Sequence, residues 1–221
     1  MKKLTSIILI LFLSLLSSPS WSDSLTMDDL VEKNDLYYKK FTDVPFTGEI
    51  YGIESGSFKN GKKDGKWLSY HEDGQLWSKG NFKDGKPEGL LEWYYENGQL
   101  FFTGNYKDGK LDGLWEQYYE NGQLERKENY KDGELDGLWE EYHEDGQLEK
   151  KENYKDGKLD GLSEWYYEDG QLWMKRNYKD GKRDGLWKWY YENGQLEKKE
   201  NYKDGKLDGL REYFNKHGSL I

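Results

Sequence analysis

The chain has 221 residues, of which 34% are hydrophobic, 17% aromatic and 34% charged, with a formal net charge of −10 and no cysteine. Its apolar share is below the ~45–50% of ordinary globular domains, which excludes a thick two-layer core. Its 19 Tyr and 10 Trp exclude the aromatic-poor composition of disordered chains. Lack of cysteine rules out disulfides, a thiol nucleophile and a lipidated cysteine anchor.

In chain order, Lys2 and Lys3 precede an apolar run from Leu4 to Leu16, and Ser20-Trp21-Ser22 places small residues where a signal peptidase reads. The run is shorter than the ~20 residues that span a bilayer, so residues 1–22 read as a signal peptide of an exported, periplasmic or secreted protein. Its removal takes away Lys2 and Lys3 and moves the net charge from −10 to −12. Such an acidic chain is not expected to bind nucleic acid or an anionic membrane.

Residues 23–45 form an N-terminal cap segment. Thr26-Met27-Asp28-Asp29 is a helix-start signal and predicts a short helix over 27–33. Residues 46–61 predict a short opening hairpin. From there the array 46–221 is governed by one period. Units start near 65, 89, 113, 137, 161, 185 and 209, marked by glycines 24 residues apart. Two further glycine series keep that step. One is Gly74, Gly98, Gly122, Gly146, Gly170, Gly194 and Gly218; the other is Gly61, Gly85, Gly109, Gly133, Gly157, Gly181 and Gly205.

In residues 113–136 the dipeptides Asn121-Gly122 and Asp132-Gly133 are favoured at two-residue type I′ hairpin turns, where both residues need φ > 0. Two strands and two tight turns then account for the whole period and leave no room for a helix. The expected fold is all-β. It is an elongated single-layer antiparallel meander of about fifteen strands, built from seven 24-residue hairpin repeats behind the signal peptide and cap segment.

Period-2 alternation separates two faces. The more apolar one carries Leu111, Trp115, Gln117 and Tyr119, then Leu124, Arg126, Glu128 and Tyr130; the other carries Leu114, Glu116 and Tyr118, then Glu125, Lys127 and Asn129. About Asn121-Gly122, Tyr119 should face Leu124 and Glu116 should face Lys127; Glu140 and Lys151, and Glu164 and Lys175, pair likewise. Lys188 would face Lys199, and Glu125 would lie near Glu140. Both count against this register, and a bulge in the Asp-Gly-Lys-Leu-Asp-Gly segment would shift it there by one residue.

Tyr-Tyr-Glu-Asn-Gly-Gln-Leu followed by Asn-Tyr-Lys-Asp-Gly-Lys-Leu-Asp-Gly-Leu-Trp, nearly verbatim at 94–115 and 118–139, resembles the MORN-repeat variant of bacterial proteins. Tyr37-Tyr38-Lys39-Lys40-Phe41 with Pro45-Phe46-Thr47-Gly48 looks like the start of the YwqK-type antitoxin-like group within it. The resemblance covers 36–221. It implies an elongated single-layer sheet used as an interaction scaffold, and the antitoxin label implies neutralisation of a partner protein.

No catalytic set emerges. His71 and His143 occupy a slot that is Tyr95, Tyr119, Tyr167 and Tyr191 elsewhere, so they read as strand fillers, and the serines cluster near the N-terminus. Paired aspartates near the Asp-Gly turns supply too few oxygens for calcium and follow from turn chemistry. No metal or cofactor is expected. The candidate partner-binding residues are the recurring aromatics Trp67, Tyr95, Trp115, Tyr119, Trp139, Tyr167, Trp187 and Tyr191. The expectation is a non-enzymatic protein-binding scaffold, with glycan or cell-wall binding through the same columns, or a self-associating structural array, as alternatives.

Overall fold

The computed structural model describes residues 24–221; the expected signal peptide lies outside the described residues. Beyond one 3-10 turn, Met27–Asp29, the described chain is strand and turn. Strands pair antiparallel with their sequence neighbours, from Gly48–Ile50 at one edge to Glu212–Tyr213 at the other. No register joins the two edge strands, so the meander is an open sheet. Its nineteen strand segments rejoin to fifteen strands once four short pieces, such as Glu134–Leu135 ahead of Gly137–Tyr142, are read through their bulges.

The two hairpin turns differ. At Asp132-Gly133 both residues have positive φ, 51° and 91°, which is the type I′ turn expected of Asp-Gly. Asn121 does not adopt positive φ; only Gly122 does, at 84°. There the Gly122 N–H donates to the Tyr119 carbonyl (2.8 Å) and the Tyr119 N–H to the Gln123 carbonyl (2.8 Å). This is a longer loop, a type I turn closed by a left-handed glycine. The expected two-residue turn is therefore corrected at every Asn-Gly or Asp-Gly of this series, and so is the register beside it. Tyr118, not Tyr119, lies opposite Leu124, across an irregularity between Gln117 and Tyr118. Leu124 consequently shares the face of Tyr118.

Away from that loop the expected pairs stand: Glu116 with Lys127, Glu140 with Lys151, Glu164 with Lys175, and Lys188 with Lys199. The bulge after each Asp-Gly turn is present. Tyr130 pairs with Leu135, yet Lys127 pairs with Glu140, so Glu140 meets a lysine on both sides instead of Glu125.

Three bond types staple neighbouring units, although the side-chain one is missing at His143, whose Nε2 has no partner. The Asp132 N–H donates to the Asp112 carboxylate (3.1 Å). The Gly133 N–H donates to the Leu111 carbonyl (2.8 Å). The Tyr119 hydroxyl donates to the Tyr142 carbonyl (2.8 Å). Asn121 adds an amide bond to the Glu144 carbonyl (3.1 Å). Asp145, in the same slot, has no such donor, and its carboxylate accepts from Gln147 Nε2 instead (3.3 Å).

The expected helix over 27–33 is not formed. Thr26 and Asp29 do bond each other, the Thr26 N–H donating to the Asp29 carboxylate (2.9 Å). The chain then turns extended, because Leu30–Lys33 pairs with Leu36–Lys39 around Asn34-Asp35, both at positive φ. This hairpin covers the first edge of the array. Its Tyr37 N–H donates to the Gly61 carbonyl (2.8 Å), and Leu30 joins Ile50, Phe58 and Trp67 in the apolar cluster at that end.

Candidate partner-binding face

The register aligns side chains of the aromatic face into three rows that run across the strands. The tyrosine row reads Phe58, Lys63, Phe82, Pro87, Tyr106, Leu111, Tyr130, Leu135 and onward to Tyr202 and Leu207. Beside it the tryptophan row carries Gly56, Trp67, Gly80, Leu91, Gly104, Trp115, Glu128, Trp139, Glu152, Ser163, Arg176, Trp187, Glu200 and Arg211. The third, a mixed row, begins at Glu54 and Ser69 and ends at Lys198 and Tyr213.

The tryptophan row changes chemistry along the array. In its first half a large apolar side chain, Trp67, Leu91 or Trp115, alternates with glycine and lies over the bare backbone: a Cβ on Gly56 would sit 2.5 Å from the Trp67 ring. In its second half glutamates replace the glycines at three positions, each held by its neighbours, and Arg176 takes the fourth. Trp139 Nε1 donates to Glu128 (2.9 Å), Ser163 Oγ donates to Glu152 (3.0 Å), and Lys198 and Arg211 lie 2.8 and 2.9 Å from Glu200. The tyrosine row supplies further bonds at the glutamates, although tyrosine also stands beside Gly104 (Tyr106) and Arg176 (Tyr178). Where the row beside it holds Glu128, Glu152 or Glu200, the residue two positions on is Tyr130, Tyr154 or Tyr202, whose hydroxyl donates to that carboxylate; beside Gly80 it is Phe82. Buried charge is tolerated here because every carboxylate is bonded. Burial pushes the Glu200 carboxyl up, but the bonds from Lys198 and Tyr202 and the charge of Arg211 outweigh it and hold the group below its ordinary value.

These rows place the eight candidate residues. Trp67 and Trp187 are 3% exposed and Trp139 9%. Trp115 is half-buried, with Arg126 stacked on its ring at 5.0 Å. Tyr95, Tyr119, Tyr167 and Tyr191 are half-buried and spend their hydroxyls on carbonyls of the following unit, at 2.8–2.9 Å. The tryptophans of this repeating strand position are covered by the rows on either side of them. His71 takes the tyrosine slot and its Nε2 lies 3.4 Å from the equivalent carbonyl, that of Tyr94.

The accessible tryptophans are others. Trp77 is 47% and Trp173 37% exposed. Both follow the leucine of Gln-Leu, where the strand irregularity beside the loop inserts an extra residue. Trp77 neighbours His71 (ring centroids 6.4 Å apart), and Trp173 neighbours Trp165 and Tyr167 (6.2 Å each). Between them, Trp93 stacks on Phe102 (4.2 Å, 17°), which touches Phe101 (5.1 Å). The signal available in sequence was the slot after Gln-Leu, which reads Trp77, Phe101, Glu125, Glu149, Trp173 and Glu197. Among the described residues no group of three or more His, Asp or Glu side chains is arranged to hold a metal ion.

The family model of the MORN repeat variant matches residues 63–84, 87–108, 111–132, 135–156, 159–180 and 183–204, together more than half of the chain. No curated protein matches it.

Proposed function

The chain belongs to the MORN repeat variant family, and on that premise we propose that it is a non-enzymatic scaffold that binds a partner protein on the aromatic face of its sheet. Repeats of this family serve as interaction scaffolds for proteins or membranes. The observation that carries the protein reading is the pair of exposed tryptophans, Trp77 and Trp173, each set beside half-buried rings on an otherwise charged surface. Exposed aromatics on a rigid support are what interface anchors are made of. The eight residues singled out in sequence then act as the support and rim of that surface. Residues 1–22 favour an exported location, periplasmic or secreted. An exported protein-binding scaffold with antitoxin-like ancestry fits an immunity-like role, neutralising a protein partner outside the cytoplasm.

The test is capture from cell-envelope extract by the full chain and by a Trp77→Ala/Trp173→Ala variant. Both changed residues are exposed, so the variant keeps its β circular dichroism. A protein held by the parent and lost from the variant supports the reading. Capture that is equal for both, or absent from both, refutes it.

A further inference from the structure

The mixed row can be followed strand by strand across the sheet. Phe102 lies opposite Trp93, Arg126 opposite Gln117, Lys150 opposite Trp165, Met174 between Trp165 and Trp189, and Lys198 between Trp189 and Tyr213. Wherever a tryptophan stands in this row, a long side chain covers its ring: Lys150 is 4.6 Å from the centroid of Trp165, and Lys198 is 4.4 Å from that of Trp189. The row is broken at one place. Between Glu54 and Trp93 the two positions are Ser69 and Ser78, directly opposite each other, and the neighbouring row holds Gly80. Three slots that are large in most other units are small together in this one. Phe102 covers one face of Trp93, and Ser78 on the other side is too short to cover the second.

The result is a notch of about 160 Å³, walled by Trp67, Trp77 and Trp93 and lined by both serines. A closed cavity near 150 Å³ holds benzene, so this notch, open to solvent, can seat the ring of one sugar with its substituents reaching out. The charged groups of the notch cancel in pairs: Lys63 lies 3.2 Å from Glu54, and Lys79 lies 3.1 Å from Glu92 on the opposite face. The notch therefore presents no net charge and suits a neutral ligand. It also presents several polar groups at once. Neither serine hydroxyl makes a hydrogen bond among the described residues, and the Glu54–Lys63 pair lines the same notch. One phenol hydroxyl from a partner's tyrosine would leave most of these groups without a partner, which is costly. A pyranose ring meets both demands, with its C–H face against tryptophan and several hydroxyls for the serines and the ion pair.

We infer that this notch is a saccharide subsite, taking one neutral pyranose unit of a glycan between Trp77 and Trp93. It shares Trp77 with the protein-binding reading above but rests on a separate observation, the notch left by Ser69, Ser78 and Gly80.

The test uses the full chain with cellotriose, maltotriose and triacetylchitotriose at millimolar concentration, and N-acetyltyrosinamide as the aromatic control. Saturation-transfer NMR and tryptophan fluorescence report binding. Ser78→Lys installs the residue that Lys150 and Lys198 supply in their own units, so it fills the notch with a side chain the fold already accommodates. The expected result is saturation by at least one saccharide, weakened by about tenfold or more in Ser78→Lys and likewise in Trp77→Ala, and unchanged in Trp173→Ala. The inference is overturned if no saccharide saturates, if Ser78→Lys binds as the parent does, or if N-acetyltyrosinamide alone binds. Partner capture by the parent chain is read separately: no saccharide saturation with capture intact removes this subsite only, and saccharide saturation without capture removes only the protein scaffold.

Discussion

Replacing Trp67 and Trp77 by alanine deletes the same side chain from two places about one hairpin apart, with opposite expected costs. Trp67 is 3% exposed. Phe58 lies 5.0 Å and Phe82 6.2 Å from its ring, Lys63 is 4.0 Å above it, and its indole N–H donates to the Ser57 carbonyl (3.2 Å). A tryptophan buries ~150–250 Å², which at ~25 cal/mol per Å² is about 4–6 kcal/mol. Allowing for residual burial in the unfolded chain brings this to about 3–5 kcal/mol, the range measured for large aromatic-to-alanine changes in cores. Gly56 and Gly80 flank the ring with no side chain to collapse into the space, so the cost belongs at the upper end of that range. Trp77, 47% exposed, should cost under ~1 kcal/mol. Equilibrium urea unfolding followed by circular dichroism measures both. A Trp67→Ala loss below ~1 kcal/mol, or one equal to that of Trp77→Ala, would refute the burial reasoning.

Asn121→Asp removes the amide donor to the Glu144 carbonyl and should cost about 0.5–1.5 kcal/mol, while Asp145→Asn should add the missing bond and stabilise by a similar amount; opposite signs in urea melts are the expected outcome. Tyr118 and Tyr142 have phenols pushed up to about 12 by burial and by Glu116 and Glu140. A folded-state pKa raised above the unfolded ~10 means stabilisation that is complete below pH ~10 and is lost as pH rises toward ~12. Absorbance titration should show a late-ionising set, which includes Tyr130 and Tyr154, and Tyr118→Phe/Tyr142→Phe should reduce it by two phenols. Glu200 works at the acid end: its lowered value gives stability present above the ordinary carboxylate range and lost as pH falls through the folded-state value. Glu200→Gln should flatten the acid limb of the stability profile, and an unchanged limb would count against the Lys198–Glu200–Arg211 cluster.

Period, strand count and four lateral pairs were legible because a hairpin pairs residues symmetrically about its turn, and a 24-residue step repeats that symmetry in each unit. Even the pairing of Lys188 with Lys199 holds despite like charge, since Glu212 lies 2.9 Å from Lys199. Tyr119 and Leu124 failed for a local reason: Asn-Gly is compatible with two loop types, and only backbone geometry chooses between them. The helix over 27–33 failed because a start signal says nothing about the strand partner waiting at 36–39. Site exposure was the least legible. Whether a tryptophan is covered depends on residues two or three strands away, and the bulges set which of those share its row. Trp67 and Trp77 are equivalent by composition and opposite by register.

The staples between units span 20, 22 and 23 residues, and each ends one unit further along. A cut and rejoining at equivalent points of two units would leave donors and acceptors matched on both sides of the seam. The length of this array is therefore quantised. It can be shortened or lengthened in whole steps of about 10 Å, two strand spacings at a time, without redesign of either end. Recombination between near-identical coding segments is then a route by which reach could evolve separately from what each unit binds.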